Sequence, residues 1–110
     1  MRPTNPTDKL VVLCTCPDED AGAAMARELV GKRLAACVNV QGRIRSIYRW
    51  NDEVTEDEEA LMVIKTTASR YSELERLIRE LHPYELPEII AVPIERGFER
   101  YLAWMEDAIS

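Results

Sequence analysis

The sequence has few of the residues from which metal and catalytic centres are usually built. It contains one histidine and three cysteines, and none of them falls in a Cys-x-x-Cys or His-x-x-x-His spacing. Nucleophile-elbow, phosphate-loop and hydrolase-type metal motifs are missing as well, so we expect no enzyme activity. The odd number of cysteines, all in apolar surroundings, argues against a secreted disulfide framework, and we expect free thiols.

Long hydrophobic runs and an excess of basic charge are also absent. The longest apolar run near the start, Leu10 to Leu13, is far shorter than a signal-peptide core or a membrane span. Twenty acidic against fourteen basic side chains give a formal net charge of −6, which opposes binding to a phosphate backbone. We therefore expect a cytoplasmic protein with neither nucleic-acid nor membrane partners.

The 110 residues contain a regular alternation of strand-like and helix-like patterns, enough for a single domain. Residues 1–9 are interpreted as a flexible lead-in and residues 10–110 as the domain. Strands are predicted at 10–15, 36–50, 55–67 and 89–94, with a bend at Gln41-Gly42. Helices are predicted at 18–32, at 71–81 with Ser69 as cap, and after Gly97. The order β-α-β-β-α-β plus a terminal helix predicts an α+β, ferredoxin-like split βαβ fold.

Several predicted strands are apolar on both faces, which bears on assembly. The run Leu61 to Ile64 is the clearest case, yet a split βαβ sheet carries its two main helices on one face only. The third helix could shield part of the other face, but burying a whole sheet face in so small a chain more naturally needs a second subunit, so we expect an obligate homo-oligomer. The hairpin strands are long for this domain and are predicted to extend past the sheet and pair with a neighbour.

The only histidine lies in the segment 81–88, between the second predicted helix and the last strand. Proline disfavours helical conformation in the residue before it, so Pro83 should end the helix at His82, and Pro87 should keep the following stretch extended. A ring held at such a junction suits a binding site. It also suits a residue that simply ends a helix by meeting its last carbonyls.

Most of the chain from Leu10 onward resembles the CutA proteins, also called divalent-cation tolerance proteins. The matching runs are Val12–Thr15, Arg33–Asn39, Ser46–Trp50, Ile64–Thr66 and His82–Ile89, followed by a closing segment with Gly97 and Tyr101–Trp104. The resemblance implies a ferredoxin-like homotrimer similar in architecture to the PII signalling proteins. It also implies binding of divalent metals, chiefly copper, and tolerance to them.

The resemblance points to two metal ligands. A first-strand cysteine and a histidine pair before Pro-Tyr are the ligands proposed in bacterial relatives; they match Cys14 and His82, whereas Leu81 stands at the first histidine position. A thiolate and an imidazole suit copper. Cys14 and Cys16, two apart on one strand, share a face and could reach one ion together, or serve as small core residues.

Two further groups of side chains are binding candidates. Aromatic and charged residues within the matching motifs could line an intersubunit cleft for a small anionic ligand in a PII-like signalling or scaffolding module, or could only pack at the interface. The acidic hairpin tip could attract cations weakly or simply be solvated. The cleft candidates are Tyr48, Trp50, Lys65, Tyr84 and Glu88; the acidic residues are Asp52, Glu53 and Glu56 to Glu59.

Overall fold

A computed structural model describes residues 7–110 of the chain. The predicted lead-in covers residues 1–9, of which residues 1–6 lie outside the described residues, and the first strand begins at Lys9, one residue before the predicted start. The strands are β1 (Lys9–Cys16), β2 (Cys37–Trp50), β3 (Glu53–Thr67) and β4 (Ile90–Pro93). The helices are α1 (Glu19–Gly31), α2 (Tyr71–Leu81) and α3 (Glu99–Ala108), with a 3₁₀ turn at Ala68–Arg70 before α2.

The strands form one antiparallel sheet in the order β2-β3-β1-β4. β1 pairs with β3 along its whole length, ending with Cys16 opposite Ala60. β4 pairs only with the first half of β1, Leu10 to Leu13. Two interleaved βαβ halves produce this order, so the ferredoxin-like fold predicted from the sequence is confirmed.

The strands β2 and β3 form a long hairpin through a two-residue turn. Asn51 and Asp52 have φ values of 50° and 62°, the left-handed conformation that both central residues of a type I′ turn adopt. The pairing shifts register just after Gln41, which confirms the predicted bend. The left-handed residue at this bend is Arg43, with φ 59°, and not the glycine beside it.

The helices α1 and α2 cover one face of the sheet and enclose the main core. Asp18 caps α1 by accepting a hydrogen bond from the Ala21 N–H at 2.8 Å. The predicted Ser69 cap of α2 is wrong: a 3₁₀ turn precedes the helix, and the Ser69 hydroxyl pairs with that of Thr67. None of the helices in residues 7–110 is long and apolar enough to cross a membrane. The core contains alternate side chains of the strands, packed against the helices; it includes Val12, Cys14, Cys16, Met62 and Ile64 of the strands, with Leu29 of α1 and Leu74 and Ile78 of α2.

Within residues 7–110, the opposite face of the sheet is covered only at one end. There α3 buries Met105 and Ile109 against Ala36. The rest, which we call the open face, consists of apolar side chains that are half-buried on β1 and β3 and about half exposed on β4. It comprises Val11, Leu13, Leu61 and Val63 with Ile90 and Val92, the last two each 51% exposed.

Candidate functional site

The histidine ring lies at the end of α2 and is fixed against β1. His82 is the first non-helical residue, with φ −72° and ψ 133°, as Pro83 predicted. Its side chain is only 7% exposed. The ring Nε2 is 2.7 Å from the carbonyl oxygen of Thr15, two residues beyond the last β1 residue that pairs with β4. Because a carbonyl can only accept, Nε2 must carry a proton and donate it.

The second ring nitrogen is also engaged. The backbone N–H of Tyr84 donates to Nδ1 of His82 at 3.1 Å, so Nδ1 must offer a lone pair. The two bonds together define the neutral ring with its proton on Nε2. A metal ion can bind this imidazole only where one nitrogen gives up its present partner.

Tyr84 extends the same network to the hairpin. Its hydroxyl donates to Oε2 of Glu59 at 2.8 Å, and its ring lies 4.7 Å from the His82 ring. Burial, with the hydrogen bond to Glu59 second, raises the pKa of the Tyr84 phenol well above its usual range. The hydrogen bonds therefore run from β1 through His82 and Tyr84 to the base of the β2–β3 hairpin.

Glu59 is the member of this network that sequence reasoning missed. Its sequence position places it among the acidic residues of the hairpin tip, for which weak cation attraction and simple solvation both stay open, but it is only 9% exposed. Its place immediately before the apolar residues Ala60 and Leu61 was the available signal, because the hairpin joins the sheet there. Other tip carboxylates face β2: Arg43 pairs with Glu58 at 3.4 Å.

The two strand cysteines lie in the main core, on the shared face that their spacing predicted. Cys14 and Cys16 have no exposed surface. Burial raises the pKa of Cys14 to about 12, with smaller contributions from Cys16, Glu88 and Glu59. Burial also raises the pKa of Cys16, and the negative charge of the nearby Asp18 raises it further. Both thiols are therefore protonated at neutral pH, whereas metals bind the thiolate.

The fold brings Cys14 and His82 to the same end of β1, since the ring bonds to the residue that follows Cys14. In the folded chain the thiol is protonated and both imidazole nitrogens are hydrogen-bonded. Within residues 7–110 no group of three or more Cys, His, Asp or Glu side chains is arranged to hold a metal. The donor types suit copper, but their use requires a local opening.

The five cleft candidates are divided between distant places in a single chain. Tyr48 donates to Asp57 on the hairpin, and Trp50 is 53% exposed at its tip. Lys65 donates instead to Asn39, near the other end of β2. It stands twelve positions from Glu53, the partner of Trp50, or about 40 Å along a strand.

A cleft that includes both Lys65 and Trp50 therefore requires more than one chain. Tyr84 is the candidate that comes near Tyr48 within the chain, because Asp57 and Glu59 contribute to the raised pKa of both phenols. Glu88 is exposed, and its negative charge contributes to the raised pKa of the buried Cys14 thiol.

Comparison with known proteins gives a consistent result over nearly the whole chain. The family model described as CutA1 divalent ion tolerance protein matches residues 10–108. The divalent-cation tolerance protein CutA of Thermus thermophilus is 46% identical over 97 residues, which are 88% of this chain and 94% of the relative. Protein CutA of Homo sapiens is 48% identical over 91 residues, or 83% of this chain. The chain spans about half (51%) of the length of this human relative.

Solved structures give the same result for the fold. The divalent cation tolerance protein Cut A1 from Thermus thermophilus superposes with a TM-score of 0.90 at 44% identity, over 93% of this chain and 99% of the other. CutA1 from Oryza sativa superposes with a TM-score of 0.91 at 36% identity, over 96% of each chain.

Proposed function

The chain belongs to the CutA1 divalent ion tolerance family, and we propose that it acts in tolerance to divalent cations by binding them, with copper as the preferred metal. The observation that carries this proposal is the family match over residues 10–108. It is supported by the superposition on the Thermus thermophilus Cut A1 structure over 93% of this chain. We propose binding and not catalysis because the sequence carries no nucleophile-elbow, phosphate-loop or hydrolase-type metal motif. A cytoplasmic location suits three free cysteines.

We propose that the working form is a homotrimer. The open face defined above leaves apolar side chains on three strands only half covered, and burying such a face is a common reason for obligate association. The hairpin also carries exposed apolar side chains, with Val54 70% and Ile47 60% exposed. Contacts between copies would bury both sets.

Cys14 and His82 are the proposed copper ligands. Their donor types suit Cu(I) best, and ligation would require loss of the Cys14 proton and release of one His82 nitrogen. The test is isothermal titration of the reduced, metal-free trimer with Cu(I) and with Cu(II), using competing chelators. Binding at a fixed ratio per subunit that is lost in both Cys14→Ser and His82→Ala would support the assignment.

The matched control for the thiol is Cys37→Ser. Cys37 is also a free cysteine on a strand, but it is half-buried and opens β2. Its replacement should leave copper binding unchanged. Copper binding that survives Cys14→Ser and His82→Ala together would contradict the ligand assignment, and loss of the trimer in either variant would make that residue structural.

A second candidate function is a PII-like module that binds a small anion between subunits and signals or scaffolds. The exposed Trp50 and Tyr48 on the projecting hairpin favour it, since a neighbouring chain would have to supply the Lys65 ammonium as anchor. Lys65→Ala and Trp50→Ala should then abolish binding of small carboxylates in a ligand screen without changing copper affinity. Unchanged ligand binding in both variants would rule the cleft out.

A further inference from the structure

The short segment from His82 to Tyr84 is fastened to two separate strands. His82 donates to the Thr15 carbonyl of β1 at 2.7 Å, and Tyr84 donates to Glu59 of β3 at 2.8 Å. The two residues are also bonded to each other, through the Tyr84 N–H and Nδ1 of His82. Each attachment therefore helps to hold the other.

We propose that this segment is a latch that keeps the imidazole nitrogens of His82 covered and links their release to the β2–β3 hairpin. We call the hydrogen-bonded set of Thr15, His82, Tyr84 and Glu59 the 82–84 latch. Its role in cation binding rests on the function proposed above. Its mechanical part, by which the hydrogen bonds hold the segment closed, can be tested without metal. Tyr84 and Glu59 are in this view positioning residues that act through His82.

The hydrogen bond between Tyr84 and Glu59 joins the His82–Tyr84 segment to the base of the β2–β3 hairpin. Glu59 is a buried carboxylate, and hydrogen bonds to charged acceptors are stronger than neutral ones. When the segment lifts, the ring loses its partners and Glu59 loses the Tyr84 hydroxyl in the same movement. Binding at His82 and freedom of the hairpin base are therefore coupled, and the coupling is reciprocal.

The latch has a quantitative consequence for affinity. A ligand that binds only the open form has an apparent dissociation constant equal to its intrinsic value divided by the open fraction. Removing one fastening raises that fraction by about tenfold, the expected effect of a hydrogen bond to a charged group. The variant Tyr84→Phe keeps the ring and the backbone N–H and loses only the hydroxyl.

Amide hydrogen exchange of the metal-free protein tests the mechanical part. The amide of residue 84 should exchange about tenfold faster in Tyr84→Phe and in Glu59→Ala, while Glu59→Gln, which retains an acceptor, should show a smaller change. The matched control is Tyr71→Phe, which removes a hydroxyl bonded to Glu75 at 3.1 Å on α2 and should leave residue 84 unchanged. Core amides such as that of Met62 should stay protected in every variant.

Two results would overturn the mechanical part. One is unchanged exchange at residue 84 in Tyr84→Phe. The other is equal acceleration at Met62, since that would report general destabilisation and no local opening. The ¹⁵N shifts of His82 give an independent check, because the latch requires the proton on Nε2, and a proton on Nδ1 would contradict it.

Titration of the reduced trimer with Cu(I) tests the gating part of the proposal, by which the closed segment limits access of the metal to His82. Tyr84→Phe should bind Cu(I) about tenfold more tightly than the unaltered protein, and Tyr71→Phe should match the unaltered protein. Equal affinities for Tyr84→Phe and the unaltered protein would refute gating while leaving the proposed function intact. Absence of Cu(I) binding in all three would refute the assignment of Cys14 and His82 as Cu(I) ligands and the gating with it, and the exchange results would still decide whether the latch exists.

Discussion

Cys14 is fully buried, and burial raises its pKa from the ordinary 9.0 to about 12. In the unfolded chain the thiol ionises from about pH 9, whereas the folded chain keeps the proton. The unfolded state therefore binds fewer protons above pH 9, and the free energy of unfolding falls as pH rises toward 12. This stabilisation is complete below pH 9.

We predict that Cys14→Ala will reduce this alkaline loss by up to about 1.4 kcal/mol per pH unit, the effect of one proton. Urea unfolding at fixed protein concentration between pH 8 and 11 measures it. The control Val12→Ala removes a buried, non-titrating side chain from the same face of β1, so its deficit should be equal at every pH. A Cys14→Ala deficit that also stays constant with pH would contradict the prediction.

The backbone position of a candidate-site residue could be predicted where a neighbour in the sequence restricts its conformation. Pro83 limits the backbone of His82 directly, so the helix end could be placed to the residue. The place of Glu59 beside the apolar residues of β3 could indicate its burial, but its hydrogen-bond partner Tyr84 is 25 positions away in the chain, and no local pattern reports that contact. The same holds for the ring proton of His82, which is determined by the carbonyl of Thr15.

Among the elements, α1 offers a direct test of capping. Asp18 accepts from the Ala21 N–H at 2.8 Å, which satisfies one of the unpaired amides of the first turn. We predict that Asp18→Ala lowers the free energy of unfolding by about 1 kcal/mol. The control Asp20→Ala removes a carboxylate from the same turn that does not cap. Thermal and urea unfolding should show a clearly smaller loss there, and equal losses would mean that charge and not capping is responsible.

Element type followed from periodicity, which is a local property of the sequence. The order of strands and helices was therefore predicted correctly, including the bend after Gln41, because alternation and glycine placement are visible without the fold. Errors occurred where a competing local hydrogen bond decides the boundary. The predicted Ser69 cap is an example, since the Ser69 hydroxyl bonds to the hydroxyl of Thr67 at the end of β3.

At the scale of the whole molecule, the chain is elongated, and the long β2–β3 hairpin, with strands of 14 and 15 residues, fits that form. Its principal extents are 50 × 33 × 22 Å and its radius of gyration is 15.2 Å, against about 13 Å for a compact domain of this length. An elongated chain with apolar side chains on one sheet face has two surfaces to bury against other copies. The long hairpin and the open face thus favour the same conclusion, that the fold is completed by association.

The homotrimer proposal predicts a selective effect of charge on the open face. Val92 is 51% exposed on β4 and pairs with Val11 of β1, so Val92→Asp would place a carboxylate in an apolar contact between copies, which is strongly unfavourable without a partner. Light scattering after size exclusion should give three times the 12.6 kDa chain mass for the unaltered protein and a smaller mass for the variant.

The matched control is Val30→Asp, because Val30 is 42% exposed at the end of α1, away from the open face, and it should keep the full mass. An unaltered protein that elutes at the single-chain mass would refute the homotrimer, and a Val92→Asp variant that retains the trimer mass would exclude this face from the interface.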